Sequence, residues 1–382
     1  MNDLRLRALI VAAGCLALQF FAAHPAAAAI SNGEPAMDEI GQYDANNSST
    51  LTPIYTKGAA NNVPNQFGLS SPRHISLDSA NHRLFLADFN NNRVLVYALN
   101  SDNTIGSKVP AYVLGQPDFN TNTAATNQAG MSGPYGFAYD STNSHLFVSD
   151  VSNCRVLEFD LSGGISNGMK ATHVLGQPNF TSNGFLVTQA GMNDPLGLAY
   201  DAGSTRLFVA DSNNRVLVYD LSGGIADGMN AFKVLGQSDF VSGGAATTQT
   251  GLSSPGGVIY ASATQRLFVT DAGSNRVLIY DLSNGVSNGM NAAYVLGQAN
   301  FTSGGAATTQ TGMRLPAGVA YDSADARLFI SELSSSANRV LVFDLSATTT
   351  SGMNAVYVLG QPDFTTGTVS RSTTFRPPRP PA

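Results

Sequence analysis

From residue 68 onward the chain breaks into short apolar runs separated by clusters of Gly, Asn, Asp and Ser. A representative set is "GLAYD" (Gly197 to Asp201), "RLFVAD" (Arg206 to Asp211), "RVLVYDL" (Arg215 to Leu221) and "KVLGQ" (Lys233 to Gln237). Runs of this length bounded by turn residues predict four β-strands. In the second run Leu207 and Val209 share one face while Phe208 and Ala210 share the other, so both faces are apolar. An antiparallel sheet with one wet face does not read that way; a propeller blade, covered by a neighbour on each side, does. After the N-terminal leader no segment of ten or more residues has a helical period.

The set recurs. Aligned on G-[LM]-x-x-P, the copies start at Gly68, Gly130, Gly191, Gly251 and Gly312, with Pro72, Pro134, Pro195, Pro255 and Pro316 four residues later. The period of 60 to 62 residues gives units 68–129, 130–190, 191–250, 251–311 and 312–364. Helical solenoids need amphipathic helices, and leucine-rich repeats a period of roughly 20 to 29 residues. The expected fold is therefore an all-β propeller of four-stranded blades, with five complete repeats.

The succession P-x-G-[VFL]-[AI]-[YL]-D, R-L-[FY]-V-x-D and N-N-R-V-L-V-[YF]-D resembles the NHL-repeat propellers, and "VLGQPDF" (Val113 to Phe119) is similar to the outer strand of bacterial secreted members. That resemblance implies a first strand lining the central channel, a fourth on the rim, and commonly six blades. Residues 30–67 hold "EIGQYD" (Glu39 to Asp44), laid over the third run, and "TPIYTKG" (Thr52 to Gly58), laid over the fourth; they would be outer strands of an incomplete sixth blade. The spacing after Phe364 calls for another copy at position 375, yet residues 365–382 form a Pro/Arg-rich tail with prolines at 377, 378, 380 and 381. Proline in this density excludes a central strand. Either five blades close the ring, or a six-bladed ring lacks the inner half of its last blade; the abrupt change in composition favours the second.

Composition adds little chemistry. Charged residues are 12% and the net charge is -6, with arginines spread one to three per repeat, so a nucleic-acid partner is not expected. Residues 1–29 carry Arg5 and Arg7, an apolar run from Ala8 to Phe21 and a terminal Ala27-Ala28-Ala29, the pattern of a cleaved signal peptide and of a secreted or periplasmic protein. No segment reaches the ~20 apolar residues of a membrane span. Removal of Cys15 with that leader leaves Cys154 alone, so no intramolecular disulfide can form. Cys154 stands where the other copies have Asn92, Asn214, Asn275 and Asn338, and reads as a turn substitution.

A residue repeated in every copy serves the blade, because one active site breaks rotational symmetry. That assigns to structure the acid ending the second run (Asp88, Asp150, Asp211, Asp271, Glu332) and the arginine after the turn (Arg93, Arg155, Arg215, Arg276, Arg339). The copies disagree after the repeat proline, where Arg73, Tyr135, Leu196, Gly256 and Ala317 follow one another, and His74 faces four glycines. Arg73, His74 and Tyr135 are thus the candidate binding residues, able to take an anion or a carbonyl. Propeller lyases and lactonase-like propellers gather histidines or carboxylates around a metal; His74, His82, His145 and His173 are too scattered for such a zinc site, so neither metal nor cofactor is expected. The expected function is a scaffold for a protein or glycan partner, with a lyase or hydrolase near Arg73 and His74 as the alternative.

Overall fold

The computed structural model describes residues 40–41 and 64–368. They form a five-bladed β-propeller of four-stranded antiparallel sheets. Blade 1 comprises β1 to β4 (Pro72–Asp78, Arg83–Asp88, Arg93–Ala98, Tyr112–Leu114) and blade 2 comprises β5 to β8 (Pro134–Asp140, His145–Asp150, Arg155–Asp160, His173–Leu175). Blade 3 holds β9 to β12 (Pro195–Asp201, Arg206–Asp211, Arg215–Asp220, Lys233–Leu235) and blade 4 holds β13 to β16 (Pro255–Ala261, Arg266–Asp271, Arg276–Asp281, Tyr294–Leu296). Blade 5 is β17 to β20 (Pro316–Asp322, Arg327–Glu332, Val340–Asp344, Tyr357–Leu359). The inner strands β1, β5, β9, β13 and β17 stand in that order around one cavity.

Each turn between second and third strands is locked by the repeated acid and arginine. Arg215 Nε donates to Asp211 Oδ2 at 2.8 Å, and its other nitrogens donate to the carbonyls of Gly191 and Phe240. Since Gly191 opens the blade and Phe240 lies in the connection leaving it, one guanidinium ties both connections to the sheet. The pair is fully buried, which is tolerable only because every donor direction meets an oxygen. Arg93, Arg155, Arg276 and Arg339 repeat the arrangement.

Apolar clusters join blades 1 and 2, 2 and 3, 3 and 4, and 4 and 5. A tyrosine of each inner strand from blade 2 to blade 5 lies against the phenylalanine of the preceding blade's second strand: Tyr139 on Phe85, Tyr200 on Phe147, Tyr260 on Phe208 and Tyr321 on Phe268, with centroids 5.5–5.9 Å apart. Gly136, Gly197 and Gly257 permit this approach, because a Cβ there would lie 2.1–2.4 Å from a carbonyl oxygen of the next inner strand. No such cluster links blade 5 to blade 1 among the described residues; the back of blade 1 (Leu86, Leu95, Tyr97, Val113) packs instead with Ile40 and Leu69.

That contact corrects the alignment of the N-terminal segment. Gly41 has φ +93° and faces the Leu69 side chain, as Gly115 (φ +82°) faces Met131 and Gly176 (φ +83°) faces Met192. The tripeptide Ile40-Gly41-Gln42 therefore matches the "LGQ" of a fourth run, and the overlay of "EIGQYD" on a third run is in error. The overlay failed because Gly41 precedes Gly68 by 27 residues, whereas the corresponding glycines are 15 apart between later copies. The rest of "EIGQYD", "TPIYTKG", residues 1–29 and the tail from 369 lie outside the described residues.

Candidate functional site

Two chemically distinct places arise where the copies diverge. The first is the end of the ring at which the inner strands begin, here termed the entry face, which also carries the turns between second and third strands. Arg73 is exposed at the start of β1, its guanidinium 4.9 Å from the Phe89 ring centroid and 5.7 Å from that of Tyr135. Phe89 and Tyr135 meet edge to face at 6.4 Å. The cation is thus held against two aromatic rings, a contact worth about 0.5–1 kcal/mol at an exposed site.

Phe89 belongs to a 3-10 turn that follows the second strand. The equivalent residues are Val151, Ser212, Ala272 and Leu333, so the variation seen after the repeat proline continues on the adjoining turn. Leu315 and Leu333 of blade 5 are 46% and 64% exposed, and their backbones are bonded to each other. Blades 5, 1 and 2 consequently present Leu315, Leu333, Arg73, Phe89 and Tyr135 on the entry face, where blade 3 offers Asp194, the half-buried Leu196 and Ser212, and blade 4 offers Ser254, Gly256 and Ala272.

The second place is the channel, a cavity of about 550 Å³ whose lining includes His74, Ile75, Phe137, Tyr200, Ile259 and Tyr321. Arg73 and Tyr135 are not part of that lining. The structure therefore brings Arg73 and Tyr135 together and separates His74 from them. The His74 ring lies 6.0 Å from Phe137, and its Nδ1 is buried with no hydrogen-bond partner among the described residues. Burial pushes its pKa down to about 4, so the imidazole is neutral at neutral pH and offers a lone pair or an N–H rather than a charge.

The hydroxyls at the far end of the channel are committed. Tyr139, Tyr200 and Tyr260 bond Asp78, Asp140 and Asp201 of the preceding blade, and burial together with those carboxylates raises each phenol's pKa. Ala261 breaks the series beneath Tyr321.

Glu158 went unnoticed in the sequence. It sits in β7 where the other third strands have Val96, Val218, Ile279 and Val342. It is fully buried, with neither carboxylate oxygen hydrogen-bonded. His145 Nδ1 stands 3.5 Å from Oε1, and His173 is its cross-strand neighbour. Burial, then the charges of Asp160 and Asp227, raise its pKa to about 7. A carboxyl in this position is divided between acid and carboxylate near neutral pH. The one acidic residue inside an otherwise apolar third run was the available signal.

Cys154 is buried at φ +50°, the left-handed position its asparagine counterparts occupy, and burial raises its thiol pKa. Such a thiol is a poor nucleophile. Among the described residues no three His, Cys, Asp or Glu side chains are grouped to hold a metal ion, and no helix is long and apolar enough to cross a membrane.

No protein-family model and no curated protein matches the chain. Among solved structures it is similar to a nidogen/laminin complex (13% identity, 78% of this chain and 88% of that one, TM-score 0.45). It is also similar to U3-55K (11%, 75% and 64%, TM-score 0.46) and to the β-propeller domain of Cps50 (Swd1) from Myceliophteria thermophila (11%, 76% and 72%, TM-score 0.44). Likenesses of this degree carry nothing about function.

Proposed function

We propose that the protein is an exported propeller of the NHL type that acts as a binding scaffold, taking an extended protein segment across the entry face of blades 5, 1 and 2. The observation that carries this reading is the Arg73 guanidinium seated on Phe89 and Tyr135, on the same face of the ring as the exposed Leu315 and Leu333. Arginine and aromatic side chains in apolar surroundings are the usual anchors of protein interfaces. A segment with a carboxylate or backbone carbonyl aimed at Arg73 and apolar side chains on either side fits that surface. Blades 3 and 4 lack an equivalent. The signal-peptide pattern of residues 1–29 supports export, which cell fractionation of the tagged full chain checks.

Photocrosslinking tests the surface. A benzophenone residue at position 135 should capture a partner from envelope extracts, one at Ser212 should not, and Arg73→Glu should abolish the capture at 135. Equal capture at both positions, or capture that survives Arg73→Glu, overturns the assignment; binding to a glycan array that is lost in Tyr135→Ser would instead make the partner a glycan. The lyase or hydrolase reading rests on His74, the neutral imidazole in the channel. Turnover of any screened ester, lactone or glycoside that disappears in His74→Ala would establish it.

A further inference from the structure

The four complete junctions follow one rule, and the place between blades 5 and 1 is where the rule stops. At each junction a tyrosine covers the preceding phenylalanine, and at the three junctions that follow blades 2, 3 and 4 an inner-strand glycine admits the next strand's carbonyl. In blades 2 and 4 the hydroxyls of Ser149 and Thr270 also donate to the carbonyls of Leu196 and Ala317 in the next blade. Blade 5 keeps all the parts that face forward: Phe329, Gly318 and Ser331. None meets its counterpart among the described residues. Phe329 is only half-buried, where Phe85, Phe147, Phe208 and Phe268 are fully buried, and the nearest atom to a Cβ on Gly318 belongs to Ser331 of its own blade.

Blade 1 mirrors this from the other side. Ile75 and Leu77 are 59% and 50% exposed, while Phe137, Leu198, Val258 and Val319, the equivalents of Ile75, are 2–9% exposed. Toward the rim the same face is buried, with Tyr97 and Val113 inaccessible and Ile40 against them. The outer part of the seam is therefore covered and the inner part is open, with an apolar surface on both walls.

We infer that this seam is an acceptor for a two-stranded antiparallel β-hairpin from a partner protein, carrying the inner-strand pattern of the repeats themselves. The seam is continuous with four interfaces of known chemistry, and that chemistry specifies the occupant. Its first strand places a tyrosine on Phe329 and a carbonyl within reach of the Ser331 hydroxyl. Its second strand places a phenylalanine or comparable side chain over Leu77. The hairpin has the dimensions of the Pro195–Asp201 and Arg206–Asp211 pair, since that is the inner half of a blade.

The probe is a synthetic peptide of residues 195–211, "PLGLAYDAGSTRLFVAD", whose Tyr200, Leu196 carbonyl and Phe208 supply those three contacts. Titrated into the full chain it should bind saturably at one site and raise the thermal midpoint. Tyr200→Ser in the peptide, or Phe329→Asp or Leu77→Asp in the protein, should weaken binding by about tenfold or more, as loss of a ring contact with its burial requires. Both protein positions are at least partly exposed, so these variants should keep the parent's circular dichroism. Arg73→Glu, on the entry face, should leave peptide binding unchanged, so this inference and the proposed function can fail separately. Absence of saturable binding, or binding indifferent to Phe329→Asp and Leu77→Asp, overturns it. So does a peptide-free dimer that either variant converts to monomer, which would give the seam to a second copy.

Discussion

The junction between blades 3 and 4 and the seam between blades 5 and 1 are built from nearly the same residue types and end in different states. Phe208 and Phe329 are each the third residue of an R-L-F run, each opposite an aliphatic residue of the third strand. Phe208 is closed over by Tyr260 at 5.8 Å and is fully buried; Phe329 has no tyrosine over it among the described residues and stays half-buried. The difference lies in the neighbour, not in the strand. A blade is thus a half-specified interface on each side, and burial appears only where the next blade supplies the other half.

Removing the ring from both places separates them most sharply. Phe208→Ala should lower stability by about 3–5 kcal/mol, the range for a truncated buried aromatic with its cavity. Phe329→Ala should lose less, about 1–2 kcal/mol, because part of that ring's surface is already in water. Urea denaturation followed by tyrosine fluorescence gives both values. Equal losses would mean that the seam is closed in solution and would end the comparison.

The next test concerns a complete junction with a misfit. Glu158 faces from blade 2 toward blade 3, at the position where Val218 of blade 3 faces Val258 and its neighbours in blade 4. Its pKa in the folded chain, about 7, lies above the ordinary glutamate range because of burial and the nearby Asp160 and Asp227. The folded state therefore binds this proton more tightly than the unfolded chain does. Its stabilisation is complete below the ordinary glutamate pKa and is lost as pH rises through about 7. Glu158→Val should raise stability at pH 8 by about 1–3 kcal/mol, as apolar replacement of buried charge does, and should flatten stability between pH 5 and 8. Melting curves of the parent and the variant across that interval decide it. An unchanged pH slope would show the carboxyl to be hydrated and the junction looser than its burial indicates.

How much of this could be read beforehand follows from what a repeat displays. The second and third strands of blade 3 begin where the runs beginning at Arg206 and Arg215 place them, because apolar runs on both faces have no other stable use. The fourth is shorter than "KVLGQ", since Gly236 at φ +86° ends it. Arg73 and Tyr135 were legible because they break the pattern after a repeated proline. Phe89 was not, since it lies in a turn that reads as part of the repeated phrase, and Glu158 was hidden inside a run taken as uniformly apolar. The seam left one trace: blade 1 alone has Leu77 where the others have Tyr139, Tyr200, Tyr260 and Tyr321. Exposure itself cannot be read from residue type, because Ile75 is as apolar as the buried Val258.

The smallest effect distinguishes the junctions among themselves. Between blades 1 and 2, 2 and 3, and 3 and 4 the inner tyrosine hydroxyl bonds the aspartate that ends the preceding inner strand; between blades 4 and 5 Ala261 removes that acceptor. The same aspartates accept turn amides, as Asp201 does from Gly203 at 3.0 Å, whereas the turn after Ala261 closes with Thr264 N–H donating to the Ala261 carbonyl. Ala261→Asp restores both acceptors at a position whose backbone already follows the other blades, so stability should rise by about 1 kcal/mol, the usual net worth of a hydrogen bond. Its partner variant sets the sign: in a Tyr321→Phe background the gain should shrink to the turn contribution alone. A gain that is the same in both backgrounds would assign the whole effect to the turn, and would place blade 5 slightly off the spacing that the first four blades keep.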